Sequence, residues 1–245
     1  MIDAVKFENL CENLEEVRHD ESVWEYLFAY VKDFGMDALS YHHHSPQGAY
    51  DFERQIFFAQ GFSSQSINDY LSSEVFLNSP FEDLGTLPNK PMSWTDAMKN
   101  AGACEKFWSR LMAFYCDGRQ NKDCNGFILP VHGPSSRNGC VWLRLTDDEY
   151  SLTKTDIRQL QWACQMAHKA FCGILDEKPK ATRPLTLREQ EILKLVARGK
   201  SNAVIADIIG ISKHTVNGYL RRIYLKTNTS DRTMAAVRGI AEALI

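Results

Sequence analysis

Three features of exported and membrane-bound proteins are absent from this sequence of 245 residues. No apolar run approaches the roughly 20 residues that a membrane-spanning helix needs. The N-terminus is acidic and lacks the positive start and apolar core of a signal peptide. The seven cysteines are an odd number and include no CxxC pair, which favours reduced thiols over disulfides or zinc. We therefore expect a cytoplasmic protein.

Motifs of enzymes are also missing. The sequence has no paired acid and base, no nucleophile signature, no phosphate-binding loop and no βα repeat ending in a buried aspartate. The histidines at 42–44 suggest a metal site, but successive residues of a strand point to opposite faces, and no cysteine pair lies nearby. Core packing explains Cys116, Cys124 and His132 better than a Cys–His dyad does. We expect no catalytic site, no metal and no cofactor.

The last quarter of the chain carries the clearest pattern. Residues 205–226 contain a short apolar helix that ends at Gly210 and a second helix that begins two or three residues later, as in a helix-turn-helix. On the second helix, Val216, Leu220 and Ile223 form an apolar face at helical spacing. The candidate DNA-binding residues on its polar side are Lys213, His214, Thr215, Asn217, Gly218, Arg221 and Arg222.

Capping signals predict the neighbouring helices. Thr186 and Glu189 have the spacing of a capping box, and Ser201 and Ser212 can cap the scaffold and recognition helices. The scaffold helix is expected to bury Val204, Ile205, Ile208 and Ile209. A fourth helix, at about 230–244, carries a candidate dimer stripe formed by Met234, Val237, Ala241 and Leu244.

These residues follow one ordered family pattern. The pattern comprises Glu189, Leu193, Gly199, the SxxTV motif at Ser212, Thr215 and Val216, then Lys226 and Arg232. The segment therefore resembles the DNA-binding domain of LuxR-type regulators. The family often has a basic residue at position 217, where this chain has asparagine. Asparagine can read adenine N6 and N7, and arginine can read guanine O6 and N7.

The two parts of the chain carry net charges of opposite sign. Residues 181–245 carry 11 Lys and Arg against 5 Asp and Glu, a balance of +6, whereas the whole chain is −3. Residues 1–180 are therefore at −9. A basic module suits polyanionic DNA, and an acidic module suits another task.

The N-terminal part is predicted to be a sheet covered by helices. Helical periodicity occurs at residues 7–17, 21–34, 67–75, 100–117 and 153–175, and strand patterns occur at 38–44, 55–59, 126–132 and 140–145. We predict an α+β protein with an antiparallel α/β/α sandwich at 1–175, and the resemblance to LuxR-type regulators implies that this part is a sensor and dimerisation domain. A charged, proline-containing linker follows at 176–184, and an all-α four-helix domain at 185–245.

A weaker resemblance extends to the autoinducer-binding domain of LuxR-type quorum-sensing receptors. Tyr70, Pro80, Trp94 and Gly126 match the ligand-contacting pattern of that domain. Serine replaces a tryptophan at position 66 and an aspartate at position 79. The candidate ligand-binding residues are Tyr70, Ser79, Trp94, Ser66 and Gly126.

The two serines disfavour a conventional acyl-homoserine lactone. The resemblance implies that the aspartate accepts the amide N–H of that ligand, and a charged acceptor forms a stronger hydrogen bond than a neutral hydroxyl does. A different small apolar signal, or a ligand-independent domain that serves dimerisation or partner binding, remains open. The expected partners are double-stranded DNA with dyad half-sites and a second copy of the chain. RNA polymerase and a small-molecule signal are further candidates.

Overall fold

The computed structural model describes residues 4–46, 48–49, 51–52, 56–73, 88–100, 105–117, 124–146, 152–177 and 184–245. The chain divides into two compact units, one built around a β-sheet and one containing the last four helices. The predicted boundaries at 175 and 185 remain predictions, because most of the predicted linker lies outside the described residues. In the described ranges no helix has both the length and the apolar character to span a membrane.

The first unit is an antiparallel sheet with helices on both faces. Its helices are α1 (Ala4–Glu16), α2 (Asp20–Val31), α3 (Ser64–Leu71), α4 (Trp94–Asn100), α5 (Glu105–Cys116) and α6 (Lys154–Glu177). Its strands are β1 (Met36–His44), β2 (Phe57–Gln60), β3 (Met92–Ser93), β4 (Gly126–His132) and β5 (Asn138–Leu145). The strand order is β2-β1-β5-β4-β3, with every pair antiparallel. The predicted α+β class and α/β/α sandwich are confirmed.

Each face of the sheet has its own core. Helices α1, α2 and α6 cover one face, where Trp24 stacks on Tyr41 with ring centroids 3.8 Å apart. The opposite face, together with α3, α4 and α5, holds an aromatic cluster. We define the aromatic cluster by its rings Tyr70, Trp94, Trp108, Phe114, Tyr115 and Trp142, all buried.

A buried arginine ties the sheet to the helices of the aromatic cluster. Arg144 on β5 forms an ion pair with Asp37 at 2.7 Å. Its two terminal nitrogens donate to the carbonyl oxygens of Tyr115 at 3.1 Å and Gly61 at 3.0 Å. Because buried charges need such partners, this side chain fixes the end of α5 against the sheet.

The second unit consists of α7 (Leu187–Ala197), α8 (Asn202–Ile209), α9 (Lys213–Thr227) and α10 (Arg232–Ala241). The predicted capping box is confirmed: Thr186 N–H donates to Glu189 Oε2 at 2.7 Å, and Glu189 N–H donates to Thr186 Oγ1 at 3.3 Å. Ser201 and Ser212 cap α8 and α9 as predicted. Gly210 adopts φ +72° at the end of α8, a conformation that favours glycine.

Two expectations about this unit are wrong. Val204 and Ile208 on α8 are 41% and 56% exposed, whereas Ile205 and Ala206 are buried. Apolar residues form two adjacent stripes on this short helix, and only the stripe that includes Ile205 meets the core. The fourth helix ends at Ala241, so Leu244 lies beyond it and does not continue its stripe.

We expect Val216→Asp to destroy the fold of the second unit. Val216 is fully buried on α9, and an unpaired buried charge costs about 3–5 kcal/mol, a large part of the stability of a small domain. Leu225→Asp is the matched control, because Leu225 lies on the same helix and is 83% exposed. Circular dichroism melting of both full-length variants checks this expectation, and a native melting curve for Val216→Asp would contradict it.

Candidate ligand site and nucleic-acid interface

Tyr115 of α5 lies at the centre of the aromatic cluster. Its ring stacks on Trp142 of β5 at 4.6 Å with an interplanar angle of 11°, and its centroid is 5.0 Å from that of Trp94. Tyr70 of α3 stacks on Phe114 at 4.1 Å. The aromatic cluster therefore connects three helices to the sheet through ring contacts.

A buried polar triad lies beside these rings. We define the polar triad as Ser40 and His42 of β1 with Tyr115. The Tyr115 hydroxyl is 3.0 Å from Ser40 Oγ and 3.1 Å from His42 Nε2. Burial, with a smaller contribution from His44, lowers the pKa of His42 to about 3, and burial raises the pKa of Tyr115 well above its ordinary value. All three members are therefore neutral at physiological pH.

Trp94 is placed at the start of α4, next to β3 and β4. Its side chain is 0% exposed, and its indole nitrogen has no hydrogen-bond acceptor among the described residues. An unsatisfied buried N–H costs roughly 1–3 kcal/mol, so native proteins rarely contain one. An incoming acceptor would satisfy this donor.

Gly126 allows Trp94 to lie against β4. A Cβ atom at Gly126 would lie 2.6 Å from Trp94 Cε2 and 2.1 Å from the carbonyl oxygen of Leu143. The structure therefore brings together Trp94 and Gly126, two of the predicted ligand-site residues. In the sequence only the family resemblance links these two residues, because they belong to different elements.

A half-open cavity of ≈ 580 Å³ lies between α3 and α5. Its described lining is Ser66, Asp69, Tyr70, Ser73, Arg110, Ala113 and Phe114. Two predicted ligand residues, Ser66 and Tyr70, thus share this cavity, and Tyr70 also belongs to the aromatic cluster. The Ser66 hydroxyl donates to Asp117, which also accepts from Ser63 and so joins the two helices. Ser79 and Pro80 lie outside the described residues.

The histidines of β1 point to alternate faces, as strand geometry requires. His42 belongs to the polar triad, whereas His43 Nδ1 lies 2.7 Å from the Tyr41 hydroxyl in the other core. Core packing holds for Cys116 and Cys124 but is wrong for His132, which is exposed with its ring 3.2 Å from Asn138 Oδ1. Within the described part of the chain, no group of three or more His, Cys, Asp or Glu side chains could hold a metal ion.

The recognition helix α9 presents a polar face to solvent. Val216, Leu220 and Ile223 are buried beneath it as the periodicity predicts. The exposed candidates are Lys213, His214, Thr215, Asn217, Arg221 and Arg222, with Gly218 half-buried. A Cβ atom at Gly218 would meet nothing within 4 Å. The predicted DNA-binding residues are thus on one accessible helix, although their contact with DNA stays a prediction.

Glu189 anchors α9 to α7. Lys226 Nζ donates to Glu189 Oε2 at 2.7 Å, and Arg222 Nε lies 3.7 Å from Glu189 Oε1. Burial alone would raise the pKa of Glu189, but hydrogen bonds from Lys226 and Thr186 lower it below its ordinary value. Arg222 also lies over the Tyr219 ring at 4.4 Å. Arg222 is therefore partly engaged within its own domain.

The predicted dimer stripe is only partly accessible. Met234 is 39% exposed, Val237 and Leu244 are half-buried, and Ala241 is buried. Ile240, which the prediction omitted, is an exposed apolar residue on the same helix. The role of the stripe in dimerisation stays a prediction.

Both parts of the chain match known families. Residues 183–238 match the bacterial regulatory proteins of the luxR family, and residues 19–171 match the autoinducer binding domain. The chain belongs to the LuxR family. The predicted membership is confirmed, and so is the predicted combination of an autoinducer-binding domain with a LuxR-type helix-turn-helix.

Several curated relatives are named as transcriptional activators or regulators. The chain is 22% identical over 233 residues to the transcriptional activator protein AnoR of Acinetobacter nosocomialis, which covers 94% of each chain. It is 31% identical over 157 residues to the putative HTH-type transcriptional regulator y4qH of Sinorhizobium fredii. That match covers 63% of this chain and only 46% of y4qH.

Solved structures share the LuxR fold of this chain. The crystal structure of Escherichia coli SdiA superposes with a TM-score of 0.75 at 19% identity, covering 98% of this chain and 97% of SdiA. SdiA in complex with octanoyl-rac-glycerol gives a TM-score of 0.72 at the same identity, covering 98% of this chain and 97% of that chain. At this level of identity the likeness shows the fold alone.

Sequence reasoning missed three residues that lie beside the candidate ligand site. Ser40, His42 and Tyr115 form the polar triad, yet the sequence pattern singles out His42 only as a candidate metal ligand and does not single out Tyr115. A signal existed, because Ser40 and His42 alternate with Tyr41 and His43 along a strand whose other residues are mostly apolar. Tyr115, the third member of the triad, lies 75 residues from Ser40 in the sequence, so no local pattern reveals their contact.

We expect Gly126→Ala to displace Trp94 and destabilise the first unit. The added methyl group would overlap both the indole ring and a backbone carbonyl, and such overpacking costs roughly 1–3 kcal/mol. Gly173→Ala is the control, because a Cβ atom there meets nothing within 4 Å and alanine favours helix α6. Tryptophan fluorescence and melting temperature are measured for both variants. Equal stability of the two variants would contradict this packing.

Proposed function

We propose that this protein is a homodimeric transcriptional regulator that binds double-stranded DNA and responds to a small uncharged amphiphile. The aromatic cluster would hold the ligand, and α9 would enter the DNA major groove. The observation that carries the ligand proposal is the buried Trp94 indole N–H without an acceptor in the described structure. A ligand carbonyl at this position would accept the missing hydrogen bond.

The neutrality of the site argues for an uncharged ligand. Trp94 and the polar triad lie next to the rings, and the raised pKa of Tyr115 and the lowered pKa of His42 keep those two side chains uncharged. The buried charge of Arg144, which also contacts Tyr115, is already paired with Asp37. The charged residues Asp69 and Arg110 of the cavity are exposed at its solvent side. A carboxylate or ammonium group deep in the aromatic cluster would therefore lose its hydration without gaining a counter-charge.

The polar triad suggests a second polar group on the ligand. Each member of the triad can both donate and accept, so a ligand hydroxyl or carbonyl near Tyr115 could join the network. SdiA, which shares the fold, has been seen in complex with octanoyl-rac-glycerol. That compound is uncharged and combines an ester carbonyl with hydroxyl groups, so it is a suitable first probe for this protein.

A ligand-independent domain is the second candidate function. The close stack of Tyr70 on Phe114 and the contacts around Tyr115 favour this reading, because they give the domain a packed core without any added molecule. In that case the first unit would serve dimerisation or partner binding only. The two readings differ in whether a neutral amphiphile stabilises the folded protein.

We expect octanoylglycerol to raise the melting temperature of the full-length protein, and octanoate, with the same acyl chain, to leave it unchanged. A ligand at 100 times its Kd stabilises the native state by about 2.7 kcal/mol. Trp94→Phe keeps an aromatic ring but removes the N–H donor, so we expect it to weaken binding roughly tenfold, as loss of one hydrogen bond would.

The matched control is Trp24→Phe, which makes the same change in the core on the other face of the sheet. We expect this variant to melt earlier but to retain the full shift with octanoylglycerol. N-octanoyl homoserine lactone is tested beside it, since the serines at 66 and 79 predict a weaker response to that ligand. If no neutral amphiphile changes the melting temperature, the ligand-independent function is favoured.

The DNA-binding proposal rests on the exposed, cationic face of α9. One recognition helix covers only a few base pairs, so a dyad site with half-sites about one helical turn apart requires two copies of the chain. Met234 and Val237 of the dimer stripe are candidates for that contact. RNA polymerase is a further proposed partner, and the proposed location is the cytoplasm, where bacterial promoters are accessible.

We expect Arg221→Ala to weaken specific DNA binding by about 1–3 kcal/mol without changing stability, because Arg221 is exposed and can read a guanine. The DNA is the duplex that the wild-type protein selects from a randomised library. Lys194→Ala is the control, since it removes one positive charge from an exposed position of α7 outside the predicted interface. Equal affinities for the two variants would show that the recognition face is wrongly assigned.

A further inference from the structure

Three side chains form a hydrogen-bonded row that ends on the recognition helix. Arg232 at the start of α10 donates from Nη1 to Asn202 Oδ1 at 2.7 Å. Asn202 at the start of α8 donates from Nδ2 to Asn217 Oδ1 at 2.7 Å. Arg232 is itself fixed, because its Nη2 also donates to the carbonyl oxygen of Lys200. We call this row the amide relay.

The chemistry of arginine gives the amide relay a direction. A guanidinium group only donates hydrogen bonds, so the Asn202 oxygen must face Arg232. The Asn202 nitrogen, which only donates, then faces Asn217. Asn217 must in turn orient its oxygen toward Asn202. The donor-only guanidinium of Arg232 therefore determines, through Asn202, which end of the Asn217 amide points away from α8.

We propose that the amide relay makes Asn217 a hydrogen-bond donor toward DNA, and that Arg232 and Asn202 are positioning residues for base specificity. This inference rests on the proposed DNA-binding function. The Asn217 oxygen is engaged by Asn202, so the group left to meet a base edge is its NH₂. At the position that Asn217 contacts, the protein should prefer a base that offers acceptors.

The pattern of donors and acceptors in the major groove determines which base this donor prefers. Guanine presents two acceptors, N7 and O6, whereas adenine presents the N7 acceptor beside the N6 donor. The usual paired contact of asparagine with adenine requires the oxygen and the NH₂ group to face the base together, and here the oxygen is turned toward Asn202. A guanine can instead accept from the NH₂ group at both of its acceptors. The amide relay therefore favours guanine over adenine.

Contact with DNA should strengthen this selection. Asn217 is exposed in the free protein, where water can satisfy either end of its amide. A DNA base excludes that water, and hydrogen bonds become stronger in the drier environment. Turning the Asn217 amide away from its hydrogen bond with Asn202 therefore costs more free energy when DNA is bound. This cost discriminates between bases.

Asn202→Asp reverses the relay. A carboxylate only accepts hydrogen bonds, so it can accept from Arg232 on one side and must accept the Asn217 NH₂ on the other. Asn217 then turns its oxygen outward and offers an acceptor to the base. Full-length wild type and variant are each used to select duplexes from a library with a randomised half-site, and affinities are then measured for matched guanine and adenine sites.

We expect wild type to favour guanine over adenine at one position by roughly fivefold to tenfold, the effect of one hydrogen bond. We expect Asn202→Asp to lose that preference and to favour adenine or cytosine, which present amino donors. The added negative charge also weakens binding to every sequence, so only the ratio between sites is interpreted. Ala203→Asp is the matched control, because it adds the same charge at the neighbouring exposed position.

The outcomes test the DNA-binding function and the amide relay separately. If no duplex is enriched by the wild-type protein, the proposed DNA-binding function is wrong. If wild type selects a site but Asn202→Asp and Ala203→Asp keep the same base preference, DNA binding stands and the amide relay is overturned. A wild-type preference for adenine that Asn217→Ala abolishes would also overturn it. A changed preference in Asn202→Asp alone supports the relay.

Discussion

Strand β1 is buried on both of its faces, and this constraint organises the whole first unit. Ser40 and His42 face the aromatic cluster, while Tyr41 and His43 face the opposite core. A buried polar group needs a hydrogen-bond partner, so each face must supply one from a distant element. Helix α5 supplies Tyr115 to the first face, and α6 supplies His168, whose Nδ1 lies 2.8 Å from the Tyr41 hydroxyl. The covering helices are thus located by polar pairing as well as by apolar packing.

The same constraint shapes the chemistry that the first unit offers to a ligand. Burial keeps His42 and Tyr115 uncharged, and the nearby Arg144 is paired with Asp37, so the wall beside the rings is polar without an unpaired charge. Trp94 is held by its contact with Gly126, with its N–H buried, and that donor is unmatched in the described structure. A neutral wall with one unmatched donor fits an uncharged molecule that carries an acceptor, and it disfavours an ion of either sign.

The second unit uses polar contacts differently. The ion pair between Glu189 and Lys226 holds α9 against α7, and the amide relay connects Asn217 to α8. The remaining cations of the recognition face stay exposed and available for DNA. In the proposed function, domain stability and base discrimination depend on different side chains of one helix, which is why Val216→Asp and Arg221→Ala are expected to have such different effects.

The sequence alone determined the features that depend on neighbouring residues. Capping at Thr186 and Ser212, the buried face at Val216, and the α+β class all follow from local spacing, because a helix or strand repeats within a few residues. Tertiary packing decided the rest. The two apolar stripes of α8 look alike in sequence, and only the docking of that helix buries Ile205 while leaving Ile208 exposed. The polar triad and the amide relay join residues from separate elements, so their partners are set by how those elements pack and leave no periodic signal along the chain.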